Sequence, residues 1–391
     1  RYMLNWLYNE GYVVYRNSIA KYMTVNVPGK GIMRIPAIKL YDNGNLDPGE
    51  AMIQIIQQAI SADNNADLFK LMMAGSHDNY ASLAKKLIGT NDRRFPKVDS
   101  KICPTTFAYS NGIFYADAKP REDDPDSFHN LHYVRYKDYH KFEHGRIAHV
   151  FINQKIPEEL FDMDLDLRRW QQQKISDNPP MYDDPVEKLK ETFKAPAFDE
   201  YIGVQKYCSE VMFMFLVMMG RIIGGFPANT VDCWQVIMLV LGAQGTGKSS
   251  FGYLVKAYYS KLSIAVISPN SEKGFGLARL PGSLLWLMEE TSRDKTGVDP
   301  ADFKTIVSGD ETVVNRKYRD PVCFTYARPG LILGNDVPDL GDQGISRRLI
   351  VFGMNEVPTV EQSNSGAVER MMGELAMIQI RSIIAYLMGV V

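Results

Sequence analysis

The sequence predicts an α/β protein built around a glycine loop set between a buried strand and a helix. Three observations carry this expectation. Residues Gly242–Ser249 read GAQGTGKS, the spacing G-x-x-x-x-G-K-[ST], directly after an apolar, β-rich run from Trp234 to Leu241. The stretch that follows, Ser250–Tyr259, has the pattern of a helix. Further short apolar runs recur at Ser263–Ile267, Ser283–Met288, Pro329–Gly334 and Leu349–Phe352, with helical or turn-rich segments between them.

A strand, a glycine loop and a helix N-terminus together form an anion cradle. The glycines let backbone N–H groups turn inward, and the helix dipole favours negative charge there. The cradle residues are Gly242, Ala243, Gln244, Gly245, Thr246, Gly247, Lys248, Ser249 and Ser250. Lys248 is expected to neutralise the β- and γ-phosphates of a nucleotide, and Ser249 to hold Mg²⁺.

Composition bounds the rest. A chain of 391 residues exceeds one ordinary core, so two or three domains are expected. Its 45% hydrophobic content excludes a disordered chain. Lys+Arg 44 against Asp+Glu 46 excludes a whole-surface nucleic-acid binder, but not a narrow basic pore. The four cysteines, Cys103, Cys208, Cys233 and Cys323, have no C-x-x-C spacing. They read as reduced thiols in an intracellular, cytosol-like compartment that the sequence does not otherwise identify. No signal peptide is visible. The longest apolar run, Val211–Gly220, is too short for a membrane span and reads as a buried helix. The chain starts at Arg1 and ends in an apolar helix, so it is expected to be a piece of something longer.

Taken in order, residues 1–99 read as a mostly helical adaptor or collar, with helix-spaced apolar positions at Ala51–Ile60 and Asp67–Met73. Residues 100–180 read as a small α+β region. Asn111-Gly112 marks a turn between two apolar strands there. His129, His132, His140, His144 and His149 fall in this region and read as exposed or hydrogen-bonded, without the cysteines of a zinc site. Asp162, Asp164 and Asp166 read as a solvated helix start rather than a metal cluster. A Pro/Asp linker opens residues 181–225, a helical lead-in. Residues 226–355 are the nucleotide core, and 356–391 end in a helix.

Within the core, the run Ser283–Met288 ends in Glu289-Glu290. Acids at the tip of a buried strand downstream of the glycine loop complete a nucleotide-hydrolysing site. Glu289 is expected to hold Mg²⁺ and Glu290 to orient and deprotonate water. A helix at Pro300–Val307 then leads to a basic hairpin tip, Arg316-Lys317-Tyr318-Arg319, suited to phosphates and a stacked base. Asn335 ends the next strand, where an amide can sense the γ-phosphate. Arg347 and Arg348 precede the last strand, and such a pair fits an arginine finger.

The order of glycine loop, Glu-Glu, basic hairpin, Asn and Arg-Arg closely resembles the superfamily 3 helicases. Gly242–Ser249 resembles their motif A, Leu284–Glu290 motif B, Gly309–Arg319 the motif between B and C, and Gly330–Pro338 motif C. GDETVVNRKYRDPVCF and GISRRL are most similar to the poxvirus and giant-virus helicase–primase type. That resemblance implies a P-loop AAA+-like motor behind a mixed helical and α+β N-terminal region. It implies ATP and Mg²⁺ as cofactors and a homo-oligomeric ring, a hexamer, with single-stranded DNA in its pore. It further implies 3′ to 5′ movement, with Lys317 as the main pore contact and Tyr318 beside it. Arg348 is the first choice of finger, because it directly precedes the strand, and Arg347 the second. Members are often fused to a primase, and no primase site is legible here. Rival readings are a genome-packaging or assembly ATPase, and a module that binds nucleic acid or partners through residues 1–200.

Overall fold

The structure is a computed structural model. It describes residues 7–16, 18–40, 48–63, 77–90, 92–117, 130–139, 145–163, 165, 184–227, 231–268, 277–291, 298–316, 319–326, 328–337, 343–364 and 366–390. The chain divides into two compact units, residues 1–113 with 134–151, and residues 114–133 with 152–391.

The first unit corrects the helical expectation for its opening residues. β1 (Tyr12–Tyr15), β2 (Ser18–Val27) and β3 (Gly31–Leu40) form an antiparallel meander. YVVY and SIAKYMTVNV are rich in β-branched and aromatic residues, which fit a pleated, half-buried surface better than a helix. The helical signal holds further on. α1 (Pro48–Asp63) contains the Ala51–Ile60 run, and α2 (His77–Gly89) follows it. The Asp67–Met73 run lies outside the described residues. Both helices pack on the meander, and Tyr12, Val14, Ile19, Met52, Ile55 and Phe95 share one buried cluster. β7 (Ile147–Ile152) runs parallel to β3, with Ala148 opposite Ala37, and β4 (Ile102–Tyr109) lies beyond it.

Ser110 and Asn111 separate β4 from β5 (Gly112–Asp117), as the turn signal requires. β6 (Asn130–Arg135) neighbours β5, and Phe114 stacks on Tyr133 with centroids 4.5 Å apart. His149 is buried, with its Nδ1 3.4 Å from the Cys103 carbonyl, and His132 stacks on Tyr115. His129, His140, His144, Asp164 and Asp166 lie outside the described residues. Among the described residues, no cluster of His, Cys, Asp and Glu is arranged to hold a metal.

The second unit begins with short α3 (Glu158–Phe161), α4 (Pro185–Thr192), α5 (Pro196–Gly203) and α6 (Ser209–Ile223). A five-stranded parallel sheet follows. Its strands are β8 (Ile237–Leu241), β9 (Ile264–Ile267), β10 (Leu285–Thr291), β13 (Gly330–Gly334) and β14 (Leu349–Gly353), in the spatial order β14-β8-β13-β10-β9. Every neighbouring pair is parallel. The apolar runs of the sequence become these strands, and β10 extends through Glu289 and Glu290 rather than stopping before them.

α7 (Lys248–Lys256) follows the glycine loop, and α8 (Pro300–Ser308) packs on the sheet with Phe303 edge-on to Trp286. β11 (Glu311–Arg316) and β12 (Arg319–Thr325) form a separate antiparallel hairpin. Short α9 (Gln343–Ser346), α10 (Val360–Asn364) and α11 (Ala367–Met371) precede α12 (Leu375–Val390).

α6 and α12 are largely apolar because they bury each other, and Phe215 on α6 meets Phe352 of β14 edge-on. No helix among the described residues is long and apolar enough to cross a membrane. Two buried arginines cross-link this bundle. Arg221 donates to Asp232 and to the carbonyls of Trp234 and Val236, just ahead of β8. Arg381 donates to Asp199 and to the Phe193 carbonyl. Both guanidiniums are paired and hydrogen-bonded, which is the condition for burying such a charge. α6 and α12 approach closely at Gly220, where a Cβ would sit 1.9 Å from the Ser382 carbonyl oxygen. Gly220→Ala therefore forces the helices apart. It is expected to cost about 1–3 kcal/mol, measured as a lower denaturation midpoint; an unchanged midpoint would contradict this packing.

Candidate nucleotide-binding site

Strand direction assembles the site. In a parallel sheet the carboxyl ends of all strands lie on one edge, where open α/β sheets bind ligands. β13 sits between β8 and β10, so the residues after β8, after β13 and at the end of β10 become neighbours. The glycine loop leaves β8 at Gly242, whose N–H donates to the Gly334 carbonyl at 3.2 Å. Gly334 is also the register partner of Thr291 at the end of β10. Gly242–Ser249, Glu289, Glu290 and Asn335 are thus drawn to one edge, and Asn335 is exposed there.

The loop has the shape its glycines permit. Gly245 has φ +85° and Gly247 φ +102°, both in the left-handed region that Cβ atoms avoid. Thr246 donates its hydroxyl to the Ala243 carbonyl at 2.9 Å. Lys248 folds over the loop and donates to the carbonyls of Gly242 and Ala243, both at 2.6 Å. Burial lowers its pKa from the ordinary lysine value. An ammonium resting on carbonyls at the loop mouth has an evident alternative partner in the oxygens of a bound phosphate.

Ser249 is exposed in the first turn of α7. Its hydroxyl and the Glu289 carboxylate are hard oxygen donors of the kind Mg²⁺ takes, so the residues fit that ion. Glu289 has a partner that the sequence did not announce. Lys256, in the last turn of α7, donates to Glu289 Oε1 at 2.6 Å. A divalent ion held by Glu289 would have to share the carboxylate with that ammonium. The Glu290 side chain lies outside the described residues.

Two further residues hold the loop from outside, and sequence reasoning missed both. Tyr201, on α5, donates its hydroxyl to the Gly247 carbonyl at 2.8 Å. Burial raises its pKa above the usual phenol range, so it stays a donor. Gln205 donates to the carbonyls of Thr246 at 3.1 Å and Glu356 at 3.0 Å, and accepts from the Glu356 N–H at 3.2 Å. Tyr201 and Gln205 are four residues apart in sequence. That spacing shows a shared face but gives no sign that their partners are loop carbonyls. Beside Gly245–Gly247 and Ser250 opens a cavity of about 220 Å³. It is bounded by Tyr201, Val204 and Gln205 on one side and by Pro358, Gln362 and Val368 on the other.

Arg347 and Arg348 lie at the other edge of the sheet. Leu349, the first residue of β14, pairs with Ile237, the first residue of β8, and Ile237 N donates to Arg348 O at 2.8 Å. Arg347 and Arg348 therefore flank the start of β8, whereas the glycine loop follows its end. β8 has five residues, a length of about 17 Å at the usual strand rise. In the hairpin, Arg316 pairs with Arg319, so Lys317 and Tyr318 are the connecting residues. Those two, and the side chains of Arg316 and Arg319, lie outside the described residues.

Of the two candidate finger arginines, Arg348 is engaged within its own chain. Arg348 is only 8% exposed and donates to Gly344 O at 2.8 Å and Ser308 Oγ at 2.9 Å. Arg347, one residue earlier, is exposed.

Residues 240–348 match a family of unknown function (DUF5906), a segment running from the end of β8 to Arg348. No curated protein matches the chain. Among solved structures, the apo C-terminal region of NrS-1 (305–718) is similar at 14% identity and a TM-score of 0.39, over 97% of this chain and 71% of that one. JCV helicase is similar at 11% identity and a TM-score of 0.32, over 51% of this chain and 58% of that one.

The loop contacts make a direct prediction. Gln205→Ala removes the bridge between Thr246 and Glu356. It is expected to weaken binding of a fluorescent ATP analogue about tenfold, or ~1.4 kcal/mol, in a titration at fixed Mg²⁺. Unchanged affinity would show that the loop holds its shape unaided.

Proposed function

We propose that this chain is the motor of an ATP-driven replicative DNA helicase. It works as a homo-oligomeric ring, a hexamer, that draws single-stranded DNA through its pore 3′ to 5′. The observation that carries the reading is the split between the two edges of one parallel sheet. The phosphate cradle lies at the carboxyl edge. Arg347 and the root of the β11–β12 hairpin lie at the amino edge, about a strand length away. An arginine so placed cannot serve the nucleotide of its own chain, but it can serve that of an adjacent copy. Shared sites of that kind make an oligomer part of the chemistry.

In this reading Lys248 and the loop N–H groups hold the β- and γ-phosphates, and Ser249 and Glu289 hold Mg²⁺, which supplies charge neutralisation when bound. Glu290 takes the proton of the attacking water, and Asn335 orients that water. Arg347 of the neighbouring copy stabilises transition-state charge. The cavity beside the loop takes the nucleoside. Arg316, Lys317, Tyr318 and Arg319 grip the polynucleotide without regard to sequence, through phosphate contacts and stacking. The resemblance of the motif order to superfamily 3 helicases supports the same assignments. Attachment to a primase belongs to that resemblance alone.

Two variants test the reading. Lys248→Ala is expected to reduce ATP turnover by at least ~100-fold, with the fold retained by circular dichroism. Lys317→Ala is expected to weaken single-stranded DNA binding about tenfold or more and to remove strand separation on tailed forks. Wild-type unwinding by Lys317→Ala would direct attention to another DNA contact, or to a packaging or assembly role in which the hairpin has no part.

A further inference from the structure

One buried guanidinium ties the root of the β11–β12 hairpin to the segment that carries Arg347. Arg348 Nη2 donates to Ser308 Oγ at 2.9 Å, and Nη1 donates to Gly344 O at 2.8 Å. The backbone of Arg348 is committed as well. Its N–H donates to Ile345 O at 2.8 Å, and its carbonyl accepts from Ile237 N at 2.8 Å. Ser308 is the last residue of α8. Gly309 follows with φ +71° and turns the chain into β11, while Asp310 N donates back to Thr305 O at 3.0 Å. The planar fork of an arginine, fixed at two prongs, transmits a displacement more stiffly than a single contact does. Arg348 directly follows Arg347, and Ser308 directly precedes the turn into the hairpin.

Building on the ring reading above, we propose that Arg348 is a positioning residue. It locks the hairpin root to the Arg347 segment, so that each hairpin follows the nucleotide of the adjacent copy and not its own. The chain's own nucleotide lies at the opposite edge of the sheet. A neighbour's triphosphate that draws in Arg347 moves residues 344–348, and the Arg348–Ser308 bond passes this movement to the end of α8. Gly309 is the hinge at which the hairpin turns. Load on the hairpin returns along the same path, so DNA binding and nucleotide binding at the neighbouring site strengthen each other reciprocally.

The test is ATP turnover with and without single-stranded DNA, for the wild-type chain, Ser308→Ala and Ser308→Thr. Ser308→Ala removes the hydroxyl that Arg348 holds, and Ser308→Thr keeps it. The expected result is basal turnover within about twofold of wild type for both variants. The stimulation factor falls at least ~5-fold in Ser308→Ala and is restored in Ser308→Thr. Equal stimulation of Ser308→Ala and wild type overturns the strut while leaving the motor reading intact. Loss of stimulation in Ser308→Thr as well as in Ser308→Ala also overturns it, because the hydroxyl is then not the cause. A wild-type chain that hydrolyses ATP without any response to single-stranded DNA overturns the motor reading, and this inference with it.

Discussion

The parallel pairing of β13 between β8 and β10 is the constraint on which the site depends. Ladder bonds fix which residues are level with which: Leu241 with Gly334, and Gly334 with Thr291. Side chains from three distant parts of the sequence are brought to one edge by this register rather than by loop contacts. The same register keeps Arg347 and Arg348 away from that edge, because β14 begins level with the start of β8. One sheet thus separates the glycine loop from the Arg347–Arg348 pair.

Around the sheet, buried charge does the positioning. Arg221 pairs with Asp232 and caps carbonyls ahead of β8, and Tyr386 on α12 donates to the same carboxylate. Arg381 joins α12 to Asp199 on α5, the helix whose Tyr201 holds the glycine loop. Glu374 accepts from the N–H groups of Ala197 and Phe198, both at 3.0 Å, so a carboxylate sits at the positive end of α5. Buried pairs of this kind contribute little net stability relative to an apolar core, but losing one partner is costly. Their effect is to leave α5 a single placement against the loop, so the loop is held open by hydrogen bonds already formed.

Much of the second unit was legible in the sequence, for a physical reason. Strands buried on both faces read as unbroken apolar runs, so Ile237–Leu241, Leu285–Met288 and Gly330–Gly334 stood out, and the glycine loop announced itself by spacing. The opening of the chain did not read correctly. YVVY and SIAKYMTVNV are β-rich, but adjacent helix-spaced runs drew them into one helical block, and only the pairing of β1, β2 and β3 separates them. Side-chain partners were the least legible. Nothing local to GISRRL tells which arginine is buried, since that depends on Ser308, forty residues away. Lys256 beside Glu289, and Gln205 beside Thr246, are likewise tertiary facts.

The central claim is that each site takes its cradle from one copy and its arginine from the next. Mixing Lys248→Ala subunits with Arg347→Ala subunits tests this most directly. Each variant alone lacks one half of every site. In mixed assemblies some interfaces join the intact cradle of an Arg347→Ala subunit to the intact arginine of a Lys248→Ala subunit. The account predicts that ATP turnover reappears on mixing and rises with the fraction of such interfaces. Turnover that never exceeds the sum of the two separate variants, in assemblies shown by mass to be mixed, would contradict it.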